Sequence, residues 1–456
     1  MKSFMMIFFT WPLFWLQSTM TVHCSNDDDD HVNVDTLKLV ILIHRHGDRT
    51  PIETYPRDPY HDEQKYWPDG WGQLTLNGKN RMYNLGLYLS KRYGQFLGKT
   101  PHEVYIRSSA SDRCLESVSL ILASLYPPVG RWKWNDNFGQ KWQPFPIQTV
   151  PHDNDGMLNP SSKCKKAEQI RMDIFKSEPV INYYDQMKST LLYVQDNTGY
   201  KNVDLIKAEQ IFDSLLIEKM NDYKLPAWVD MNVFEKLKDI SAKTFIFSGM
   251  TKQIQRFRTG LLLSDIWQHI SDDNDERRLY IYSTHDDQLS VFMSALKNFN
   301  GLSPPFGATI MIEIHRQQNH TIINNEPFIR MYYLNVTEME KPYPLELNNC
   351  KRIGSDHDHC TISNFYESIK DLIPDDWDAE CENPSSSSRS ISADRMYFIY
   401  KKKSKLIFIL NPSTAISIYL LLVTISLTLL VMLFFIYLIL NHRRFGSSYR
   451  LLPINS

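Results

Sequence analysis

The chain has 456 residues, which is enough for one large α/β domain with an insertion and short flanking segments. Its 50 Lys and Arg residues nearly balance its 52 Asp and Glu residues. This balance excludes the charge excess of a protein that binds nucleic acid or a polyanionic surface. Any anion site in the chain must therefore be local.

The N-terminal segment, residues 1–24, has the pattern of a secretory signal peptide. Lys2 precedes an apolar run, residues 5–16, which is followed by small and polar residues. The sequence therefore predicts export into an oxidising compartment. In that compartment Asn319-His-Thr and Asn335-Val-Thr would be acceptors for N-glycosylation.

The next segments predict two buried strands that are separated by a helix. An apolar run at residues 37–43 is typical of a buried strand, and a second short strand is predicted at 103–106. Between them, from Thr75 onward, apolar residues recur at helical spacing. Strands that alternate with helices indicate a parallel, doubly wound sheet.

The middle of the chain, from about 151 to 240, predicts a helical insertion. Strand patterns are rare there, and one helical face is traced by five apolar residues: Leu205, Ala208, Phe212, Leu215 and Leu216. Strand patterns return at 244–247 and 279–283, with a helix-compatible stretch at 252–270 between them. Two more extended segments, 308–314 and 328–334, could pair as an antiparallel hairpin.

The C-terminal part predicts a membrane anchor. Residues 382–415 begin with an Asn-Pro-serine run that is typical of a stalk, and residues 416–440 form an uncharged apolar stretch long enough to cross a bilayer. The arginines of residues 441–456 and the signal peptide both predict a cytoplasmic C-terminus, hence a single-pass type I protein. The basic run at 401–405 opposes this orientation, but the signal peptide acts first.

The cysteine count indicates two disulfides and one free thiol. The signal peptide removes one of six cysteines, and exported proteins usually pair the remainder. Spacing alone leaves the connectivity open. The predicted pairs are Cys350 with Cys360 and Cys164 with Cys381, and Cys114 is expected to be a small buried hydrophobe.

Charged and imidazole side chains cluster just after three predicted strands. In an open α/β sheet the loops at the carboxyl ends of the strands meet at one edge, where ligands bind. The three loops begin at His44, Arg107 and Thr284. Together they contribute six candidate site residues: Arg45, His46, Arg49, Arg107, His285 and Asp286.

These residue types suit hydrolysis of a phosphate monoester. The guanidinium groups of Arg45, Arg49 and Arg107 match phosphate oxygens in geometry and stabilise transition-state charge. Nearby arginines disfavour protonation of His46, which leaves a neutral imidazole as the nucleophile. Asp286 would protonate the leaving group and then activate water, so an acidic pH optimum is expected.

The motif Arg45-His-Gly-Asp-Arg-Thr-Pro51, together with His285-Asp286, resembles the signature of the histidine acid phosphatases. The resemblance extends through residues 67–75, 105–108, Asp112-Arg113 and 300–305, and covers about 34–381. It implies His46 as nucleophile and Asp286 as proton donor. It also implies four phosphate ligands, Arg45, Arg49, Arg107 and His285, and no cofactor.

The resemblance is to the lysosomal and prostatic branch of that family, and it implies the fold and the partners. The expected fold is α/β, a doubly wound mixed sheet with an inserted α-helical cap domain. The expected partners are a small phosphate monoester, the membrane through one helix, a second copy in a homodimer, and a sorting adaptor at Tyr449. Lysosome and cell surface both remain open as locations.

Several alternatives stay open at this point. A metal site is conceivable because His44 and His46 would lie on one strand face near His285 and Asp286, although a guanidinium cluster repels cations. The loop 356–359 could also bind a metal. The same chemistry could act on inositol phosphates or lysophospholipids, or the scaffold could be an inactive binding protein. The family commonly has an apolar residue at His44, so a titrating group beneath the site is another open question.

Overall fold

The computed structural model describes residues 32–159, 162–316, 327–335, 341–347, 350 and 360–382. The chain divides into two compact units, Met1–Pro384 and Ser385–Ser456, and every described residue belongs to the first. The predicted signal peptide, stalk, membrane helix and tail, together with Asn319, Tyr449 and the loop 356–359, lie outside these ranges. Within them, no helix has the length and apolarity that a membrane span requires.

A mixed sheet forms the centre of the first unit. Its strands lie in the order β2-β3-β1-β4-β5-β6, and β7 also pairs with β5. The first three strands are mutually parallel, and β4 and β5 form the predicted antiparallel hairpin. The strands are β1 (Leu37–Arg45), β2 (Val104–Ser108), β3 (Leu279–Thr284), β4 (Thr309–His315), β5 (Phe328–Leu334), β6 (Tyr343–Pro344) and β7 (Cys360–Thr361).

Helices cover both faces of this sheet, as the doubly wound prediction requires. Side chains alternate along β1, so Ile41 and Ile43 pack on one face and Val40 and Leu42 on the other. The helices are α1 (Glu63–Tyr66), α2 (Leu76–Tyr93), α3 (Asp112–Leu125), α4 (Lys165–Phe175), α5 (Glu178–Thr198), α6 (Leu205–Met220), α7 (Met231–Ser248), α8 (Lys252–Ser271), α9 (Asp286–Ala295), α10 (Ile362–Ile369) and α11 (Trp377–Glu382).

Helices α4 to α7 form the predicted helical insertion, which we call the cap. The cap has its own apolar core, which includes Leu191 of α5, Leu215 of α6 and Leu237 of α7. Its four helices span 165–248, and the insertion was predicted at about 151–240.

The predicted strand at 244–247 was wrong, because these residues form the last turn of α7. Leu237, Ile240, Ser241 and Thr244 are buried at helical spacing, so the helical period continues through the segment. A short apolar run does not distinguish a strand from the end of a buried helix. The helix predicted at 252–270 is confirmed as α8.

Both predicted disulfides are present. Cys164–Cys381 joins the start of α4 to α11, and Cys350–Cys360 links the segment after β6 to β7. Cys114 of α3 is buried and carries a free thiol, as expected. Asn335, one of the two predicted glycosylation acceptors, directly follows β5 and is half-buried.

Candidate active site

The three parallel strands end level with one another, and this brings their loops together. Arg45 of β1 is in register with Thr284 of β3, and Ser108 of β2 with Ser283 of β3. The backbone N–H of His46 donates to the Thr284 carbonyl at 3.1 Å, which continues the pairing beyond β1. The loop that carries His285 and Asp286 follows β3 and therefore lies between the loop after β1, which carries His46, and the loop after β2.

His46 is buried with a defined tautomer. Its Nδ1 lies 2.8 Å from the carbonyl oxygen of Gly47. A carbonyl only accepts hydrogen bonds, so Nδ1 carries the hydrogen and Nε2 carries the lone pair. Burial lowers the pKa of His46 well below its usual range, and the charges of Arg113 and Arg45 lower it further. The imidazole is therefore neutral, with its nucleophilic nitrogen directed away from Gly47.

The start of α2 supports the loop that follows His46. Thr75, the N-cap residue of α2, donates from its backbone N–H to the Asp48 carbonyl at 2.9 Å. Arg81 of the same helix pairs with the Asp48 carboxylate at 2.6 Å. A Cβ at Gly47 would come within 2.7 Å of the Gly78 carbonyl oxygen, so only glycine allows this close approach.

Two of the predicted arginines pair with carboxylates from different elements. Arg45 pairs with Asp286 at 2.6 Å, and its guanidinium carbon lies 4.0 Å from the ring centre of Phe306. Arg49 forms a two-point ion pair with Asp213 of α6, at 2.9 and 3.1 Å. The cap thus contributes a carboxylate to the site, which sequence reasoning missed.

The third predicted arginine, Arg107, is engaged elsewhere. Its guanidinium donates to Asp155 at 2.6 Å and to the Ser108 carbonyl. Its role as a phosphate ligand remains a prediction that no observation tests.

Arg113, in the first turn of α3, lowers the pKa of His46 more strongly than Arg45 does. After burial, its charge is the largest cause of the lowered pKa of His46. Its buried Nε has no hydrogen-bond partner among the described residues. The sequence contained a signal for Arg113, because it opens the helix that follows the second strand end.

His285 and Asp286 lie at the start of α9. The His285 ring centre is 5.6 Å from that of His46, and its Nε2 contacts the Ser109 hydroxyl at 3.0 Å. Burial and then the Arg113 charge lower the pKa of His285 to about 3. Burial alone would raise the pKa of Asp286, but Arg45 and Arg49 outweigh it and lower that pKa.

His44 lies directly beneath this site. Its Nδ1 donates to the Arg45 carbonyl at 3.1 Å, and burial lowers the pKa of His44 to about 4. It is therefore neutral unless the solution is strongly acidic. Within the described ranges, no group of three or more His, Cys, Asp or Glu side chains is arranged to hold a metal ion.

A cleft opens beside Arg49, between the motif loop and α6. Its lining does not include His46. Its lining consists of Asp48, Arg49, Thr75, Asn77, Ile217, Met220, Asn221 and Phe306.

A neutral imidazole among arginines, at the carboxyl edge of a doubly wound sheet, defines a phosphoryl-transfer enzyme of the histidine type. The profile of the Histidine phosphatase superfamily (branch 2) matches residues 36–334. The chain belongs to this superfamily, as its motifs predicted, and it is a phosphatase that hydrolyses phosphate monoesters.

Similar proteins include two kinds of mammalian acid phosphatase. The chain is 34% identical to prostatic acid phosphatase of Rattus norvegicus, over 78% of this chain and 91% of that protein. It is 32% identical to lysosomal acid phosphatase of Homo sapiens, over 76% and 80% respectively. The phytase of Citrobacter braakii shares the fold, with a TM-score of 0.57 and 17% identity over 76% of this chain and 99% of that one.

Proposed function

We propose that the acid phosphatase activity of this chain proceeds through a phosphohistidine on Nε2 of His46. In the first step Nε2 attacks phosphorus, the bond to the leaving oxygen breaks, and Asp286 protonates that oxygen. In the second step the Asp286 carboxylate takes a proton from water, which attacks phosphorus and releases inorganic phosphate. The observation that carries this proposal is the Nδ1 hydrogen bond to Gly47, because it leaves Nε2 unprotonated.

The protonation of Asp286 follows from the charge of the substrate. In the ligand-free site Arg45 and Arg49 lower the pKa of Asp286. A bound phosphate brings negative charge that offsets both guanidinium groups, so this pKa rises when the substrate binds. Asp286 then holds a proton at acidic pH, when the leaving group needs it.

The phosphoryl group is held by Arg45, Arg49, Arg113 and His285 in this proposal. The Nε atoms of the three arginines are buried and have no hydrogen-bond partner among the described residues, so each guanidinium retains donor capacity. Arg107 instead holds the segment around Asp155. This adds Arg113 to the predicted ligand set, and the role of Arg107 in that set stays a prediction.

The decisive experiment compares wild type with His46→Ala on an aryl phosphate at acidic pH. We expect hydrolysis to fall by at least about a thousandfold, since the covalent route is lost. His102→Ala, which changes an exposed histidine outside the site, is the matched control. Rapid quenching in alkali with labelled substrate should trap a protein phosphate in wild type and in the control, and later acidification should release the label. The same adduct in His46→Ala would refute the proposal.

Location and anchoring form a separate part of the proposal. The signal-like N-terminus and the lysosomal and prostatic relatives support a lumenal or secreted catalytic domain. The apolar stretch 416–440 supports a type I anchor, with Asn319 and Asn335 glycosylated. Deletion of residues 416–456 should release active enzyme into the medium, whereas deletion of 441–456 should not. Retention of the shorter chain in membranes would mean that the anchor lies elsewhere.

The alternative within the same chemistry is an inositol phosphate substrate. It is suggested by the structural relatives that are named phytases. The homodimer and the sorting adaptor at Tyr449 remain predictions from the sequence.

A further inference from the structure

The face of α6 that is directed toward the site changes from acidic to apolar along the helix. Asp213 pairs with Arg49, which fixes the orientation of this face. Residues four apart lie on the same side of a helix, so Glu209 and Ile217 flank Asp213 on this face. Ile217 packs with Phe306, next to the cleft. Glu209 therefore marks the acidic end.

Glu209 faces the part of the site that contains Asp286. It is half-buried, and it interacts electrostatically with Asp213, Asp287, Asp286 and Arg49. Burial and the three carboxylates raise the pKa of Glu209 well above its usual range, while Arg49 opposes this effect. The position of Glu209 on α6 and the charges around it both place it near the proton donor.

Two of the arginines on this side are already engaged by carboxylates, whereas the buried Nη1 of Arg258 has no hydrogen-bond partner among the described residues. Arg45 pairs with Asp286 at 2.6 Å and Arg49 pairs with Asp213 at 2.9 Å. Arg258 of α8 interacts with Asp287, which has its own pKa raised to about 7 by burial and by Asp286. One phosphoryl group can compete for the first two arginines, but a second phosphate beside it would meet carboxyl groups.

The leaving group occupies this acidic side. In phosphoryl transfer the nucleophile and the leaving oxygen lie on opposite sides of phosphorus. The residue that protonates the leaving oxygen therefore marks the direction in which the leaving group extends. Here that residue is Asp286, and its carboxyl neighbours are Asp287, Glu209 and Asp213.

We propose that Glu209, together with Asp213, determines leaving-group specificity in this site. The substrates are phosphate monoesters whose leaving group is uncharged or carries a cation, and polyphosphorylated compounds are disfavoured. This inference rests on the proposed function and names the substrate class of the same site. Specificity here arises from an unfavourable element as well as from favourable contacts.

The test compares three substrates with the full-length chain at low ionic strength. Phosphoethanolamine has a cationic leaving group, glycerol 2-phosphate an uncharged one and inositol hexakisphosphate a polyanionic one. The variants are Glu209→Gln and Glu209→Lys, with Glu235→Gln as control because Glu235 is exposed on the outside of α7 and pairs only with Lys238 at 3.4 Å among the described residues. The readout is the ratio of kcat/KM values at pH 5 and pH 6.5.

Wild type should prefer phosphoethanolamine and glycerol 2-phosphate to inositol hexakisphosphate. Glu209→Lys should raise kcat/KM for the hexakisphosphate, relative to glycerol 2-phosphate, by about tenfold and lower that for phosphoethanolamine by about tenfold. Glu209→Gln should weaken the phosphoethanolamine preference more at the higher pH, because the raised pKa of Glu209 keeps this residue protonated in acid. The control should match wild type.

Two outcomes separate this inference from the function on which it rests. If wild type is active but prefers the hexakisphosphate, or if Glu209→Lys leaves all ratios unchanged, the inference is wrong and the phosphatase mechanism stands. If His46→Ala hydrolyses the three esters as fast as wild type, the proposed function fails, and this inference fails with it.

Discussion

Arg49 and Asp213 form a two-point ion pair that joins the nucleophile loop to the cap. Arg49 is 6% exposed and Asp213 is 22% exposed, so the pair is largely shielded from water. A buried guanidinium without a counter-charge is strongly destabilising. The cap therefore completes the site of the sheet domain, because α6 supplies the carboxylate that orients Arg49.

Asp213→Asn should impair substrate binding more than chemistry. An amide replaces two charged hydrogen bonds with at most one uncharged acceptor, so Arg49 loses its fixed orientation. We expect KM for an aryl phosphate to rise by roughly tenfold with a smaller change in kcat. Glu235→Gln on the outer surface of the cap is the control. An unchanged KM in Asp213→Asn would show that Arg49 is oriented without the cap.

Arg113→Lys should mainly impair catalysis, whereas Arg107→Lys should mainly lower stability. Lysine keeps the charge but loses the two-point geometry that fits a phosphate group. We expect Arg113→Lys to lower kcat/KM by about a hundredfold, because Arg113 is free to donate to the substrate. Arg107→Lys should mainly lower thermal stability, because Arg107 pairs with the buried Asp155. Steady-state kinetics and Tm values distinguish these results, and a larger kinetic loss in Arg107→Lys would reverse the assignment.

Asp286→Asn should show a strong dependence on the leaving group. The variant has no carboxylic acid to protonate the leaving oxygen, so only esters with acidic leaving groups should form the phosphohistidine. It should also hydrolyse that intermediate slowly, since no base activates water. Rapid-quench measurements on an aryl and an alkyl phosphate test this. Normal turnover of the alkyl ester would exclude Asp286 as the proton donor.

Two neighbouring carboxyl groups, those of Asp58 and Glu218, are buried at the interface between α6 and the loop that follows the motif. Both residues are buried, with exposures of 2% and 0%. Burial, followed by the charge of Asp58 and its hydrogen bond, raises the pKa of Glu218 to about 9. The other titratable groups around the pair are Tyr55, Tyr60 and His61.

Glu218→Gln should flatten the pH dependence of stability. The unfolded chain releases the Glu218 proton near pH 4.5, whereas the folded chain keeps it until about pH 9. Between these values the folded state binds more protons, so stability falls as pH rises, by up to about 1.4 kcal/mol per pH unit.

The comparison of pH 5 with pH 8 provides the measurement. The urea midpoint of the Glu218→Gln variant, measured relative to that of wild type, should be higher at pH 8 than at pH 5. Glu235→Gln, in an exposed position, should show no such gain. An equal difference at both pH values would mean that Glu218 is ionised in the folded chain.

Much of the fold could be predicted from local patterns. Strand β1 is an unbroken apolar run because both of its faces are covered by helices, and β4 and β5 are recognisable for the same reason. The strand wrongly predicted at 244–247 shows the limit of such patterns, because a few apolar residues at the end of α7 fit the period of a strand as well as that of a helix. The free, buried Cys114 and both disulfide pairs agree with the predictions, although the sequence indicated only the number of disulfides and left their connectivity open.

The sequence by itself determined the chemistry at the strand ends, because His46, Arg49 and Asp286 stand in short motifs directly after apolar strands. Only the tertiary structure decided which charges surround them. Asp213 and Glu209 lie on a helix more than 150 residues beyond the motif. The local sequence pattern of that helix does not predict which part of the fold it will face. Arg107 and Arg113 differ for the same reason: folding brings the Asp155 carboxylate against Arg107, whereas the buried Nε of Arg113 has no hydrogen-bond partner among the described residues.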